Sequence, residues 1–362
     1  MEFLIQYGMF LAKAVTIVLA ILIILSAIAS ASSKQKKGER KGSIKVSLLN
    51  EHFDEMRDEV RHAVLEKDEL KAVHKLEKKQ AKVERKEKKK HKAESDQASV
   101  ERKKRVYVLN FKGDISANAV ISLREEITAT LSMAEEQDEV LLRLESPGGM
   151  VHAYGLASSQ LLRIKNDKIP LTICVDKVAA SGGYMMACLA DRLVAAPFAM
   201  IGSIGVLVQV PNFYRVLKKH DVDYEMISAG EYKRTLTTFG EITKKGKEKV
   251  QEDVQVIHDI FKQWVKDHRP SVDIEKISTG EVWVGMQAKE KYMVDEIKTS
   301  DECIVSACDE ADVYEVEFII RKSIHARLGS VFEHTAEKLF SNWFEKSNQN
   351  KFLSLYNDPK KL

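Results

Sequence analysis

At 362 residues, with 44% hydrophobic and 31% charged residues and a formal net charge of +3, the chain is long enough for one large domain with appendages. These values are ordinary for a globular protein and exclude a chain disordered throughout, although the small net charge hides a strongly basic N-terminal third. The four cysteines, Cys174, Cys188, Cys303 and Cys308, show no C-x-x-C spacing and give no sign of a zinc site. Cys174 and Cys188 fall in apolar segments and read as buried small hydrophobes. Whether Cys303 and Cys308 pair in an oxidising compartment is left open.

Residues Gly8 to Ala31 form an almost unbroken apolar run with one charge, Lys13, near its start. That length spans a bilayer as a helix, and Lys13 can snorkel to the interface. Small-x-small sites between Ser26 and Ser33 resemble a signal-peptidase cut. The run is long for a signal peptide and lacks a basic leader, so an uncleaved anchor over residues 1–33 is expected. Lys34, Lys36, Lys37, Arg40 and Lys41 follow directly and favour a cytoplasmic side for that end, a preference that large downstream domains do not always obey.

From Ser43 to about Arg105 the pattern reads as helical. Leu49, Phe53, Met56, Val60, Ala63 and Leu70 recur at spacings of three and four, the stripe of an amphipathic helix or coiled-coil arm. Beyond it, residues Lys71–Glu94 hold eleven Lys/Arg against four Glu, a local charge of +7. A solvated spacer is the plainest reading, and attraction to anionic lipid headgroups the next. No aromatic residue interleaves the lysines to stack on bases, so nucleic acid is not an expected partner.

At Val106 the composition changes. Val106–Phe111, Glu139–Leu144 and Leu171–Val175 are short β-branched or apolar runs that read as strands. Ser116–Glu136 and Tyr154–Ile164 carry helical spacing between them. This alternation predicts a mostly parallel sheet covered by helices. Met185–Val210 is apolar, but Asp191, Arg192 and Pro197 argue for buried core rather than a second span. A long amphipathic helix is expected from about Thr243 to His268, a turn and strand over Ile277–Gly285, and a short helix and strand over Ala288–Ile297. A final stripe, Phe332, Leu339, Phe340, Trp343 and Phe344, suggests an amphipathic tail over 323–362.

The chemistry centres on Val178-Ala-Ala-Ser-Gly-Gly-Tyr-Met-Met-Ala187. Ser181 stands at a Gly-flanked strand-to-helix junction, where a hydroxyl is exposed beside free backbone N–H groups. A small-residue turn that lets a helix pack closely on a strand would look the same. A nucleophilic serine needs a base. His152 follows a Pro-Gly-Gly turn and is the tempting histidine, although it reads equally as a helix-start residue. Lys233, after Gly230-Glu-Tyr232, is the alternative, since desolvation can neutralise a lysine. Backbone N–H groups of Pro147-Gly-Gly149 and of Gly182 could stabilise an oxyanion.

Five motifs occur in order: Glu-Ser-Pro-Gly-Gly (145–149), Ala-Ser-Gly-Gly-Tyr (180–184), Ile-Gly-Ser-Ile-Gly (201–205), Gly-Glu-Tyr-Lys (230–233) and Thr-Gly-Glu-Val-Trp-Val-Gly (279–285). Together they resemble the signal peptide peptidase A family of membrane-anchored serine peptidases, in detail over about residues 106–300. The resemblance implies a domain over 106–322 similar to the Clp protease and crotonase folds, built from repeated β-β-α units, behind the anchor (1–33) and a basic helical region (34–105). It implies Ser181 as nucleophile and Lys233 as general base, 52 positions apart (233 − 181), with the Gly148 and Gly182 N–H groups as oxyanion donors and Gly149 the second choice to Gly148. It further implies peptide substrates of hydrophobic character, no metal or cofactor, a homo-oligomer, and residence in a bacterial inner membrane with the domain on the periplasmic side. Relatives often carry Tyr-Tyr after the Gly-Gly, whereas here Tyr184 precedes Met185 and Met186, a change in pocket rather than dyad. Two alternatives stay open: a catalytically silent membrane scaffold and a crotonase-like acyl-CoA enzyme.

Overall fold

The computed structural model describes residues 42–94 and 102–320, with a few positions between 7 and 16. The apolar run of residues 8–31 lies largely outside the described residues and the tail of 323–362 wholly so; among those described, no helix is long and apolar enough to cross a membrane. Residues 44–319 cluster as one compact unit.

Its frame is a seven-stranded sheet. In chain order the strands are β1 (Gly42–Leu48), β2 (Arg105–Lys112), β3 (Glu139–Glu145), β4 (Leu171–Val175), β6 (Arg192–Ala195), β9 (Glu296–Ile297) and β10 (Asp312–Ile320), arranged as β1-β10-β2-β3-β4-β6-β9. From β10 to β9 every pairing is parallel. Parallel pairing needs crossovers. These include α3 (Val120–Leu131) between β2 and β3, α4 (Val151–Asn166) between β3 and β4, and α10 (Ser300–Glu310) between β9 and β10. A second, three-stranded sheet, β5-β7-β8, is built from β5 (Val178–Ala180), β7 (Met200–Gly202) and β8 (Val282–Val284).

Because side chains alternate along a strand, the large sheet sorts its residues into two cores. Leu109, Phe111, Leu142, Leu144, Ile173 and Val175 face the larger one, which α3, α4 and the small sheet cover. Val108, Leu141, Cys174 and Val194 face the other, closed by Cys303, Ile304 and, at its border, Leu49 and Phe53 of α1 (Leu49–Val64). The arm is therefore seated on the domain at its root. Asn50 donates to the carbonyls of Cys308 and Ala311, at 3.0 Å each, and accepts from the Val313 N–H at 2.8 Å.

The sequence pattern predicts helix over 43–105, but the first segment is β1. Ile44, Val46 and Leu48 alternate with polar residues at the period of a strand, and this sheet edge gives the segment hydrogen-bond partners a helix would not need. Residues 49–64 and 67–94 are helical as expected, in α1 and α2 (Lys67–Glu94), whereas 102–104 are not, and 95–101 lie outside the described residues.

One buried charge on the frame has a thermodynamic consequence. Glu126, on α3, is 5% exposed and accepts the Phe318 N–H of β10 at 2.8 Å, while its second oxygen has no partner among the described residues. Burial, with a small contribution from Glu317, raises its carboxyl from 4.5 to about 7 against the opposing hydrogen bond from Phe318. A folded pKa above the unfolded one means that ionisation favours the unfolded chain, so stability falls as pH rises from about 4.5 to about 7. Glu126→Gln keeps an acceptor without the charge. Its melting temperature should match the parent's near pH 4 and exceed it at pH 8; equal temperatures at both would show the carboxylate to be tolerated.

Candidate active site

Ser181 closes β5 and precedes the short helix α5 (Gly182–Ala187) with φ 51° and ψ −119°, a left-handed conformation unfavourable for a residue with a Cβ. Strain of this kind costs about 1–3 kcal/mol and persists only where surrounding structure imposes it. Here the Ser181 N–H donates to the Gly202 carbonyl of β7 at 2.8 Å, and the Ser181 carbonyl accepts the Met185 N–H at 3.0 Å. The hydroxyl is thus presented at the mouth of a turn whose first helical N–H groups have no intrahelical acceptor.

Beneath it lies the Ser146-Pro-Gly-Gly149 turn. Ser146 bridges to β5, donating its N–H to the Val178 carbonyl at 2.8 Å and accepting the Ala180 N–H at 3.0 Å. Gly148 (φ +87°) comes so near that a Cβ there would lie 2.7 Å from the Ser181 Cβ and 2.8 Å from the Gly182 nitrogen. Only glycine meets both demands. The Gly148 N–H donates to Ser146 Oγ at 3.1 Å. Tyr154 of α4 donates its hydroxyl to the Asp114 carbonyl at 2.8 Å, which leaves its oxygen to accept from Ser146 Oγ at 2.6 Å. A directed chain therefore runs from Gly148 N–H through Ser146 and Tyr154 to Asp114. Burial raises the Tyr154 phenol above its ordinary value, keeping it a neutral donor.

Beside Ser181 opens an apolar cavity of about 350 Å³. Gly149, Val151, Gly155 and Ser158 line one side, Gly182 and Met185 another, and Ile257, Phe261 and Trp264 of α7 (Lys244–His268) the third. Thr243 caps α7 through the Gly246 N–H at 3.1 Å, and Trp264 Nε1 donates to the Met185 carbonyl at 3.0 Å, fastening the cavity wall to α5.

The structure thus brings Ser181, Gly148, Gly149 and Gly182 together. Gly149 and Gly182 border the cavity, whereas the Gly148 N–H is turned to Ser146. Lys233 stands in an exposed turn, its N–H donating to the Gly230 carbonyl at 3.1 Å, and is not among the cavity residues. His152 is exposed in the first turn of α4 and is likewise absent from the cavity lining. Among the described residues no cluster of His, Cys, Asp or Glu is arranged to hold a metal. Ser146 and Tyr154 were not singled out by the sequence reading. Neither the serine nor the tyrosine eight positions after it carries a sequence signal for this relay.

Residues 2–161 match the family model described as Peptidase family S49 N-terminal, and residues 163–314 match Peptidase family S49. The chain is 54% identical over 244 residues to the Probable protease SohB of Haemophilus influenzae, covering 67% of this chain and 69% of that protein. It is 51% identical over 245 residues to the Probable protease SohB of Buchnera aphidicola subsp. Acyrthosiphon pisum, covering 67% and 73%. A Putative protease MJ0651 of Methanocaldococcus jannaschii shares 34% identity over 185 residues, 50% of this chain and 58% of the relative.

Tyr154→Phe removes the bridge between Ser146 and Asp114 and should cost about 1–2 kcal/mol of stability, read as a lower urea midpoint at unchanged slope. Gly182→Ala should cost more, since its Cβ would lie 2.4 Å from the buried Tyr154 ring. A midpoint for Gly182→Ala at or above the parent's would show that this close approach is not required.

Proposed function

Because the chain belongs to peptidase family S49, we propose that it is a serine endopeptidase in which Ser181 attacks the peptide carbonyl. The observation that carries this reading is the strained, positive-φ Ser181 at a strand-to-helix turn beside an apolar cavity. Ser203 shares that conformation but not the cavity, and it is the two together at Ser181 that favour a nucleophile over a scaffold. The alternation of large-sheet and small-sheet strands, β4 then β5 and β6 then β7, supports the Clp-like β-β-α reading.

In the mechanism we infer, Lys233 is the general base. A neutral amine takes the Ser181 proton as Oγ bonds to the carbonyl carbon, and the Gly182 N–H stabilises the oxyanion. For the second donor, the placement of Gly149 on the cavity wall and the engagement of Gly148 with Ser146 favour Gly149; Gly148 then acts by bringing the turn against the serine. The protonated base returns its proton to the leaving amine, and water hydrolyses the acyl-enzyme. The apolar cavity suits a hydrophobic side chain next to the scissile bond, in keeping with hydrophobic, signal-peptide-like substrates.

Lys233 lies on residues 205–243, which expose Leu207, Val208, Phe213, Ile227 and Tyr232, with Ile227 at 99%. So large an apolar surface is best covered by another protein surface. We infer a homo-oligomer in which covering this segment brings a Lys233, from the same or a neighbouring copy, to Ser181. The apolar run of residues 8–31 supports a single-pass membrane anchor, while a bacterial inner membrane and a periplasmic domain rest on the family resemblance, against the cytoplasmic preference of the lysines from Lys34 to Lys41.

The test is labelling of detergent-purified protein with a fluorophosphonate. The parent should label, and Ser181→Ala and Lys233→Ala should not; a folded parent that never labels would overturn the enzyme reading. Cavity specificity is tested separately through Gly155, where an added Cβ meets nothing within 4 Å. Gly155→Leu should leave fluorophosphonate labelling intact while lowering kcat/KM at least about tenfold for peptides with a bulky apolar residue before the cleaved bond. That loss corresponds to about 1.4 kcal/mol of transition-state binding. An unchanged preference would remove the cavity from substrate recognition.

A further inference from the structure

The second core holds two thiols that the catalytic reading does not use. The N-terminus of α10 is tied to the end of β4, with the Ser300 N–H donating to Asp176 at 2.7 Å and Ser300 Oγ to the same carboxylate at 2.5 Å. From that clamp the geometry continues inward. Two residues back from Asp176 on the same strand face is Cys174, and one turn along α10 from Ser300 is Cys303. The paired steps are about 7 Å along the strand and about 4.5 Å along the helix. The two thiols consequently lie beside each other, both buried in one cluster with Val194 and Ile304. The pair considered from sequence, Cys303 and Cys308, lies on one helix five positions apart. Their side chains point about 140° apart around it, which prevents a disulfide without unwinding.

We propose that Cys174 and Cys303 form a redox modification site, closing to a disulfide when a peroxide reaches the cavity on which Cys303 opens. That cavity, about 230 Å³, is bordered by Lys104, Arg192 and Lys298 and by Glu139, Glu302 and Glu310. The Cys303 thiol is held below its ordinary value, first by the hydrogen bond from Cys174 and then, against burial, by Arg192 and Lys298. The same hydrogen bond and burial raise Cys174. Access assigns the roles, since Cys303 lines the cavity that a peroxide would enter and Cys174 does not. The Cys303 thiolate attacks one peroxide oxygen and the O–O bond breaks, giving a sulfenic acid and, after one proton is taken up, one molecule of water. The Cys174 sulfur then displaces the hydroxyl, its proton leaving with it as a second water. Two thiols are oxidised and one peroxide is reduced to two waters. The bond would close a loop of 129 positions (303 − 174) that contains both Ser181 and Lys233.

The experiment treats purified full-length protein with hydrogen peroxide, blocks remaining thiols under denaturing conditions and maps peptides without reductant. The expected result is a fall from the four cysteine thiols of the sequence to two, with a linked peptide pair joining 174 to 303 that dithiothreitol releases. The urea midpoint should move up in the oxidised form and return on reduction. Cys308→Ala should leave the link intact, and Cys174→Ala should instead leave a dimedone-reactive sulfenic acid at Cys303. A link through Cys308, or oxidation that proceeds at Cys308 with 174 and 303 still free, would overturn the proposal. The parent map decides this even where Cys174→Ala fails to fold.

Discussion

The site depends on the close contact of the Ser146–Gly149 turn with the backbone at Ser181, and much of the architecture serves to hold it. A serine at φ 51° stores strain that no single interaction offsets. It is held from several sides at once, by β7 through Gly202, by Ser146 through both neighbours of the strand, and by the first turn of α5. Each such hydrogen bond contributes about 1 kcal/mol net. Together with the buried side chains of Tyr154 and Tyr184 they make the strained state the only one compatible with the fold. The Tyr184 hydroxyl reaches the Met293 carbonyl at 3.1 Å, so even the C-terminal side of the core is drawn into positioning this turn.

The small sheet explains how the serine comes to stand where it does. Each of the pairs β4/β5 and β6/β7 contributes one strand to the large sheet and one to the small, so the chain steps between layers twice in the same way. The step ends both times on a serine in the left-handed region, Ser181 at φ 51° and Ser203 at φ 50°. Only the first is followed by a helix. After Ser203 the chain passes instead into the exposed segment that carries Lys233. Local geometry repeats, but the packing around the two serines does not, and only Ser181 borders the apolar cavity.

The strands of the large sheet were legible because apolar runs such as Val106–Phe111 and Leu171–Val175 are largely buried on both faces and interrupted only by Asn110 and Thr172. The long helix α7 was legible from its stripe and its Thr243 cap. The three-residue strands of the small sheet were not, being too short for any period to show. Nor was the seating of the arm, since β1 reads as a strand by alternation only when that alternation is weighed against the helical stripe that follows at once. Ser181 and the glycines around it were readable because close approach demands glycine in a pattern. Ser146 and Tyr154 were hidden because a hydrogen-bond relay leaves no composition signal. The Cys174–Cys303 contact was hidden for a different reason: it joins segments 129 positions apart, which only the crossover of α10 brings together.

The two halves of the proposed chemistry have unequal support within a single chain, and this has a physical meaning. The nucleophile and the cavity are built from fully packed elements: Tyr154, Leu161 and Tyr184 are 0% exposed, and α7 is capped at Thr243 and fixed by Trp264. The proposed base, Lys233, is carried on a stretch between β7 and α7 that exposes Leu207, Phe213 and Ile227. A chain that preorganises its nucleophile yet leaves its base on an uncovered apolar segment has separated what must be rigid for oxyanion geometry from what association can supply. Under the proposed assembly, covering Leu207 and Ile227 would also desolvate the neighbouring lysine, and desolvation is what lowers an ammonium toward the neutral form that a general base requires. Assembly and activation would then be one event, and an unassembled copy would carry a shaped but unactivated serine.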